Sequence, residues 1–213
     1  MKPWIAIILA AGKGTRMKSK LPKVLHKAAG KAMVHHVAGC ALHAGAGKLV
    51  TIVGFGGDQV EKAMTELSQI VEQKEQLGTG HAVQQCIPAL EGFSGDVVIL
   101  SGDTPLLRFE TLKGLITAHQ ESDNSATVLT AVLANPSGYG RIIRRGGQVV
   151  GIVEQKDATD EQKNLNEINT GIYCFKQDKL VEALGTLTND NAQGEYYLTD
   201  TLAYLVENGE SVG

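Results

Sequence analysis

Residues Trp4 to Leu9 form an unbroken apolar run of strand length, and Ala10, Ala11, Gly12 and Gly14 follow it at once. A short run with no polar alternation reads as a strand buried on both faces. Small residues after such a strand leave backbone N–H groups open to a ligand, and N–H groups in a turn of this kind bind phosphate oxygens. Lys13, Arg16, Lys18, Lys20, Lys23, Lys27 and Lys31 crowd the same region, while no Asp or Glu occurs before Asp58. The segment therefore reads as an anion-binding mouth. A merely solvated basic loop is the bland alternative, since charge runs are usually surface features, and the small residues weigh against it.

Two familiar phosphate loops fit badly. A dinucleotide fingerprint needs a third glycine where the helix packs on the strand, but Met17 stands there. A P-loop needs Gly, four residues, then Gly-Lys-Ser/Thr, which neither Gly12 to Arg16 nor Gly45-Ala46-Gly47-Lys48-Leu49 supplies.

With 213 residues and 43% hydrophobic content, the chain can bury one sizeable core with at most a small appended lobe. The net charge of −3 conceals an early basic segment and later acidic ones, which suits a local phosphate site rather than a nucleic-acid coat. Aromatic residues at 5% offer few platforms for stacking bases, so no nucleic-acid partner is expected. Cys40, Cys86 and Cys174 are odd in number and widely spaced, against a disulfide framework or a structural zinc, and consistent with a reducing cytoplasm. The N-terminal apolar run is too short for a spanning helix and carries no cleavage pattern, so no signal peptide and no membrane association are expected. His35, His36 and His43 lie on a helical stretch where no nearby carboxylate or Cys completes a metal set, Cys40 alone adding too little to the histidines.

Strand-like runs recur at Trp4 to Leu9, Lys48 to Val53, Val97 to Leu100 and Thr127 to Leu133, separated by helical spacing at Met33 to Ala44 and Val60 to Leu67. Such alternation predicts an α/β fold with a mixed, mostly parallel sheet flanked by helices. Gly54-Phe55-Gly56-Gly57-Asp58 reads as a turn into a helix, with Asp58 placed to cap free N–H groups. After about residue 135 the pattern turns to short strands, Tyr139 to Arg144 and Gln148 to Val153, around Arg145-Gly146-Gly147, as for a β-hairpin lobe. Ligands of open α/β sheets sit outside the carboxyl ends of the strands. Asp103, in Ser101-Gly102-Asp103-Thr104-Pro105, follows the run Val97 to Leu100 and suits Mg²⁺, which takes one or two carboxylates with phosphates and water. An Asp that simply opens a Thr-Pro turn is the alternative.

The run Leu9-Ala10-Ala11-Gly12-Lys13-Gly14-Thr15-Arg16-Met17 with Leu21-Pro22-Lys23 resembles the signature of the sugar-1-phosphate nucleotidyltransferases. Gln76-Leu77-Gly78-Thr79-Gly80-His81-Ala82, Gly138-Tyr139-Gly140-Arg141-Ile142, Gly151-Ile152-Val153-Glu154, Glu167-Ile168-Asn169-Thr170-Gly171 and Asn191 to Asp200 extend the likeness over nearly the whole chain. They are similar to the N-terminal domain of the bacterial bifunctional N-acetylglucosamine-1-phosphate uridyltransferases/glucosamine-1-phosphate acetyltransferases. The resemblance implies a nucleotide-diphospho-sugar transferase fold over residues 1–213 and Mg²⁺-dependent uridylyl transfer from UTP to N-acetylglucosamine 1-phosphate, for cell-envelope precursors. It implies a nucleotide loop of Leu9, Ala10, Ala11, Gly12, Lys13 and Gly14, with Lys13, Arg16 and Lys23 on the phosphates. Gln73, Gly78 and Thr79 match uracil-reading positions, where an amide offers both donor and acceptor. Asp103 matches the magnesium ligand, and Gly102, Gly140, Glu154, Asn169 and Thr170 match positions around the acetylated sugar. Taken alone, Glu154 and Asn169 read equally well as loop residues.

Two departures accompany the resemblance. Ser101 stands where some relatives carry Tyr, and the chain reaches Gly213 before the family's V-x-G-V-N-x-R segment, whose Asn is a second magnesium ligand. No hexapeptide repeats of an acetyltransferase β-helix occur either. The chain is thus expected to be a truncated enzyme, and a monomer, because the family trimerises through that β-helix. Transfer between another sugar 1-phosphate and UTP or dTTP, and nucleotide binding without turnover, stay open as alternatives.

Overall fold

The computed structural model describes residues 2–12, 14 and 17–213. Its elements in chain order are β1 (Trp4–Ala10), β2 (Lys27–Ala28), β3 (Lys31–Ala32), α1 (Met33–His43), β4 (Leu49–Val53), α2 (Gly57–Met64), β5 (Gln69–Glu72) and α3 (Thr79–Gln84). There follow β6 (Asp96–Ser101), α4 (Phe109–Glu121), β7 (Ala126–Val132), β8 (Arg141–Arg145), β9 (Gln148–Val153), α5 (Asp160–Lys163), β10 (Glu167–Lys176), α6 (Gln177–Leu184) and α7 (Asp200–Glu207). The four expected strand runs fall on β1, β4, β6 and β7, each shifted by a residue at an end.

The main sheet runs β5-β4-β1-β6-β10-β8-β9, with β7 also paired to β10, giving a Rossmann-like α/β architecture. The strands β5, β4, β1 and β6 are parallel, and β10 turns the sheet antiparallel beyond β6. Parallel strands need helices on both faces, which is why their sequences are apolar without alternation. Ile5 and Ile7 of β1 join Val97 and Ile99 of β6 in a core under α3, α6 and α7. Trp4, Ala6 and Ile8 join Val98 and Leu100 in a second core under α1, α2 and α4.

The long strand β10 explains where the hairpin goes. Its residues Tyr173 to Lys176 pair with β6 from Ile99 back to Asp96, while Ile168 pairs with Arg141 of β8. The hairpin β8–β9 therefore continues the sheet just past the carboxyl end of β6, beside Gly102 and Asp103. A register shift between Asn169 and Tyr173 marks the junction, the bend that a bulge introduces.

Asp58 corrects one expectation. It makes no capping hydrogen bond, because the glycine turn starts α2 earlier: Gly56 is the N-cap, at φ 64°, and Asp58 sits in the first turn. There its carboxylate still favours the positive end of the helix dipole. No helix among the described residues is long and apolar enough to cross a membrane.

Arg141 is fully buried, yet no carboxylate pairs with it among the described residues. Its guanidinium instead donates from Nε to Leu165 O (3.0 Å), from Nη2 to Gln155 Oε1 (2.9 Å) and Lys163 O (3.2 Å), and from Nη1 to Tyr139 O. A planar fork can satisfy acceptors from several directions at once, which an ammonium cannot. Arg141→Leu leaves those acceptors unmet, so a loss on the order of 3 kcal/mol is expected in urea unfolding. Arg141→Lys should recover only a minor part of it.

Candidate functional site

Strands β1 and β6 end level with each other: Leu9 pairs with Ser101, and the Gly102 N–H donates to Leu9 O at 3.0 Å. A crevice of ≈ 730 Å³ opens at these carboxyl ends, lined by Leu9, Ala10, Ala11, Gly12, Gly14, Lys23, Gln73, Gly78, Thr79 and Asp103. That volume suits a nucleotide-sized ligand. The candidate nucleotide residues and the candidate magnesium ligand thus share one cleft. Lys13 and Arg16 lie outside the described residues.

Gly14 shows why the turn after β1 needs glycine. Its φ is +55°, and a Cβ there would lie 2.8 Å from Lys23 Cβ. The close approach sets Lys23, on a single helical turn after Pro22 (Lys23–Leu25), against the mouth. Lys23 Nζ forms an ion pair with Asp103 Oδ2, both side chains being part-exposed. The Thr104 hydroxyl donates to Ser101 O at 2.8 Å and holds the turn that presents Asp103. Asp103 therefore opens a Thr-Pro turn and faces the crevice too.

Gln73 is buried, 3% exposed. Its Nε2 donates to Gly78 O at 3.1 Å and lies 3.0 Å from His81 Nδ1. The donor half of the amide is consumed inside the protein, which leaves Oε1 as the half available to a ligand. Gly78 is packed at φ +115°, where a Cβ would meet Tyr196 O at 2.5 Å. The Thr79 hydroxyl accepts from the Leu198 N–H at 3.1 Å. These bonds tie the end of β5 to the segment before α7.

The candidate sugar residues gather beside the crevice rather than among its lining. A Cβ on Gly140 would stand 3.4 Å from both Glu154 carboxylate oxygens, and the Asn169 N–H donates to Gly140 O at 2.9 Å. Gly102 packs on Leu9 O, and a Cβ on Gly171 would touch Ser101 Oγ at 3.2 Å, which joins the two groups. The side chain of Asn169 is engaged at both ends: Nδ2 donates to Tyr173 Oη (2.7 Å) and Oδ1 accepts from the Gly171 N–H (2.9 Å). Thr170 Oγ1 donates to Leu129 O at 2.6 Å. These two side chains shape the bulge in β10, whereas the Glu154 carboxylate accepts only a long hydrogen bond, from the Thr199 hydroxyl at 3.4 Å, among the described residues.

Gln76 and Glu195 also line the crevice and were not singled out from sequence. Gln76 Nε2 donates to Gln73 O at 3.0 Å. Glu195 arrives through the backbone bonds Tyr196 N–H to Leu77 O and Gly80 N–H to Tyr196 O, both 2.8 Å. Its signal in the sequence was the run Asn191 to Asp200, which carried a likeness without a role.

Residues 6–193 match the MobA-like NTP transferase domain family. The chain is 53% identical over 207 residues to the bifunctional protein GlmU of Levilactobacillus brevis, covering 97% of this chain and 45% of that protein. It is 52% identical over 209 residues to the GlmU of Streptococcus gordonii (98% and 46%) and 49% identical over 212 residues to that of Desulfitobacterium hafniense (100% and 47%). The chain thus spans about half the length of the curated relatives it matches. A UDP-glucose pyrophosphorylase crystallised with UDP-glucose superposes with a TM-score of 0.76 at 21% identity, covering 99% of this chain and 89% of that one, which shows a shared fold.

Burial pushes the Glu154 carboxyl above its ordinary value of 4.5, and Asp200, Asp157 and Glu195 push the same way against the Thr199 hydroxyl at 3.4 Å. A carboxyl that holds its proton more tightly when folded favours folding at low pH, and this advantage disappears as pH rises through its folded value. Glu154→Gln should therefore gain stability relative to the wild type as pH is raised above about 4.5. Urea midpoints at acidic and mildly alkaline pH check this; an unchanged gap would contradict it.

Proposed function

The chain belongs to the MobA-like NTP transferase domain family, and from that premise we propose that it transfers a uridylyl group from UTP to N-acetylglucosamine 1-phosphate, yielding UDP-N-acetylglucosamine and pyrophosphate. The observation that carries the reading is a crevice whose lining includes Gly12, Gly14, Lys23, Asp103 and Gln73, with Lys23 paired to Asp103. Likeness to GlmU proteins over almost the whole chain supports the choice of uridine and of the acetylated sugar.

In this reaction a phosphate oxygen of the sugar phosphate forms a new bond to the α-phosphorus of UTP, and the bond to the β-phosphate oxygen breaks in line. No protein nucleophile is needed. The obstacle is bringing one anion to another, so the chain's part is positioning and charge neutralisation. A unit cation and anion 4 Å apart attract by about 4 kcal/mol at an effective dielectric of 20, before desolvation. We assign Lys13 and Arg16 to the departing pyrophosphate and Lys23 to the α-phosphate or the incoming sugar phosphate. Backbone N–H groups around Gly12 hold further phosphate oxygens, and the free Oε1 of Gln73 accepts from the uracil imide. Gly140, Glu154 and the backbone at Asn169 and Thr170 receive the sugar.

The donors fit Mg²⁺: Asp103 presents one part-exposed carboxylate toward the phosphate mouth, and no Cys or His lines the crevice among the described residues. Asp103 would hold the ion, which would supply charge neutralisation to the reacting phosphates. Until then the Lys23 ammonium balances that carboxylate.

Pyrophosphate release from this chain with UTP, N-acetylglucosamine 1-phosphate and Mg²⁺ tests the proposal, with dTTP and glucose 1-phosphate as competitors. Asp103→Ala, Lys23→Ala and Arg16→Ala are each expected to lower turnover about 10² to 10³-fold, the usual cost of a lost transition-state partner. Near-normal turnover in all three would refute the assignment, and preference for dTTP or glucose 1-phosphate would refute the substrate pair.

A further inference from the structure

A second polar cluster lies at the opposite, amino end of β6 from Asp103. Asp96, His119 and Cys174 each offer one ligand atom, and these atoms all lie within 4.8 Å of one another. All three residues are buried. The sheet register explains the meeting: Cys174 pairs with Val98 and Lys176 with Asp96, so Cys174 and Asp96 share a sheet face, and α4 lays His119 on that face.

No cation closes this cluster among the described residues. His119 Nε2 is buried without a hydrogen-bond partner there, and the Asp96 Oδ1 that it faces lies 3.5 Å away. Asp96 Oδ2 accepts from Gln120 Nε2 at 2.6 Å, a neutral donor. The nearby ammonium groups of Lys2 and Lys176 are both drawn to Asp123, at 3.2 and 3.1 Å. A nearly sealed carboxylate facing an unpartnered imidazole and a thiol is costly for a protein to keep without a positive partner.

The secondary contacts suit a metal as well. His119 Nδ1 lies 2.9 Å from Thr127 Oγ1, which also accepts from Asn124 Nδ2 at 3.2 Å. With Nδ1–H donating to Thr127, the Nε2 lone pair points into the cluster, the arrangement that orients metal-bound histidines. On its outer side Asp96 also lines a surface pocket of ≈ 360 Å³ together with Gly95, Lys176 and Gln177.

We propose that Asp96, His119 and Cys174 form a zinc site that clamps β6, α4 and β10 together, separate from the crevice. A thiolate, an imidazole and a carboxylate are the ligand set of Zn²⁺, with water from the pocket side in the fourth position, whereas Mg²⁺ prefers oxygen alone. Binding replaces the thiol proton of Cys174, which is released to solvent. Burial holds that thiol protonated in the absence of metal; a coordinating cation reverses this.

Cobalt, a coloured stand-in for zinc, tests the site. The EDTA-stripped chain should take up one Co²⁺ with thiolate-to-cobalt charge-transfer absorption, displaced by Zn²⁺ and not by excess Mg²⁺. Zn²⁺ should raise the melting temperature of the chain. The absorption should persist in Cys40→Ser/Cys86→Ala, where Cys174 is the sole remaining thiol, and vanish in Cys174→Ser. Thr127→Val, nearly isosteric, should keep the band and weaken binding about 10 to 100-fold. Circular dichroism in EDTA verifies that each variant is folded. Absence of stoichiometric uptake by the unsubstituted chain, or a band that survives Cys174→Ser, overturns the proposal.

Discussion

The register of β1 against β6 is the constraint on which the candidate site depends. Because Leu9 pairs with Ser101 and the Gly102 N–H reaches Leu9 O, the two parallel strands stop at one level. The small-residue turn after β1 and the carboxylate after β6 then face each other without any long loop to carry them. A Cβ on Gly102 would come within 2.9 Å of Leu9 O, so the tight packing of these strand ends requires the glycine itself. The tandem placement of β6 and β8 along one edge of β10 adds the hairpin to the same corner. Three separate stretches of sequence are thereby brought to one cleft by hydrogen-bond geometry alone.

Within that cleft, much of the polar chemistry is already committed before a ligand arrives. Gln73, Asn169, Thr170 and Thr79 all spend side-chain hydrogen bonds on the protein. Such commitment lowers the ordering cost on binding, because the groups that remain available are fixed in direction. It also narrows what the cleft can accept: Gln73 has its donors occupied and presents an acceptor. Glu195 lines the cleft and Glu154 stands beside it, which adds negative charge to a corner that also holds Lys23.

How much of this could be read from the sequence depended on how local its cause was. Strands β1, β4 and β6 were legible because burial on both faces writes an apolar run into the chain itself. That Gly12, Gly14 and Lys23 line a crevice was legible for the same reason, as small residues and lysines adjoin that strand. Helix α4 carries Leu112, Leu115, Ile116 and His119 at helical spacing on its buried side, a pattern that was present and passed over. Strand β10 was harder: Asn169 alone reads equally well as a loop residue, yet Asn169-Thr170-Gly171 is an internal bulge of a strand, and Gly171 at φ +77° makes the bend. The engagement of Thr170 with Leu129 was beyond any local reading, since it depends on a strand far earlier in the chain. Asp58 failed for a subtler reason, as a left-handed glycine moved the helix start by a residue or two.

The two ends of β6 show how environment divides the work of like residues. Asp103, at the carboxyl end, is part-exposed and paired with the part-exposed Lys23 ammonium. Asp96, at the amino end, is sealed under α4 beside sulfur and imidazole. Burial alone would raise its carboxyl, but His119 and Gln120 outweigh that and hold it below the ordinary range, so the group stays anionic in a dry setting. An ion entering there must shed most of its water, which Mg²⁺ does reluctantly and a borderline cation with nitrogen and sulfur ligands does readily. Asp103 and Asp96, at the two ends of β6, thus present a part-exposed carboxylate to the cleft and a buried one to the core. The difference follows from solvent access and neighbours, with the same side chain at both ends.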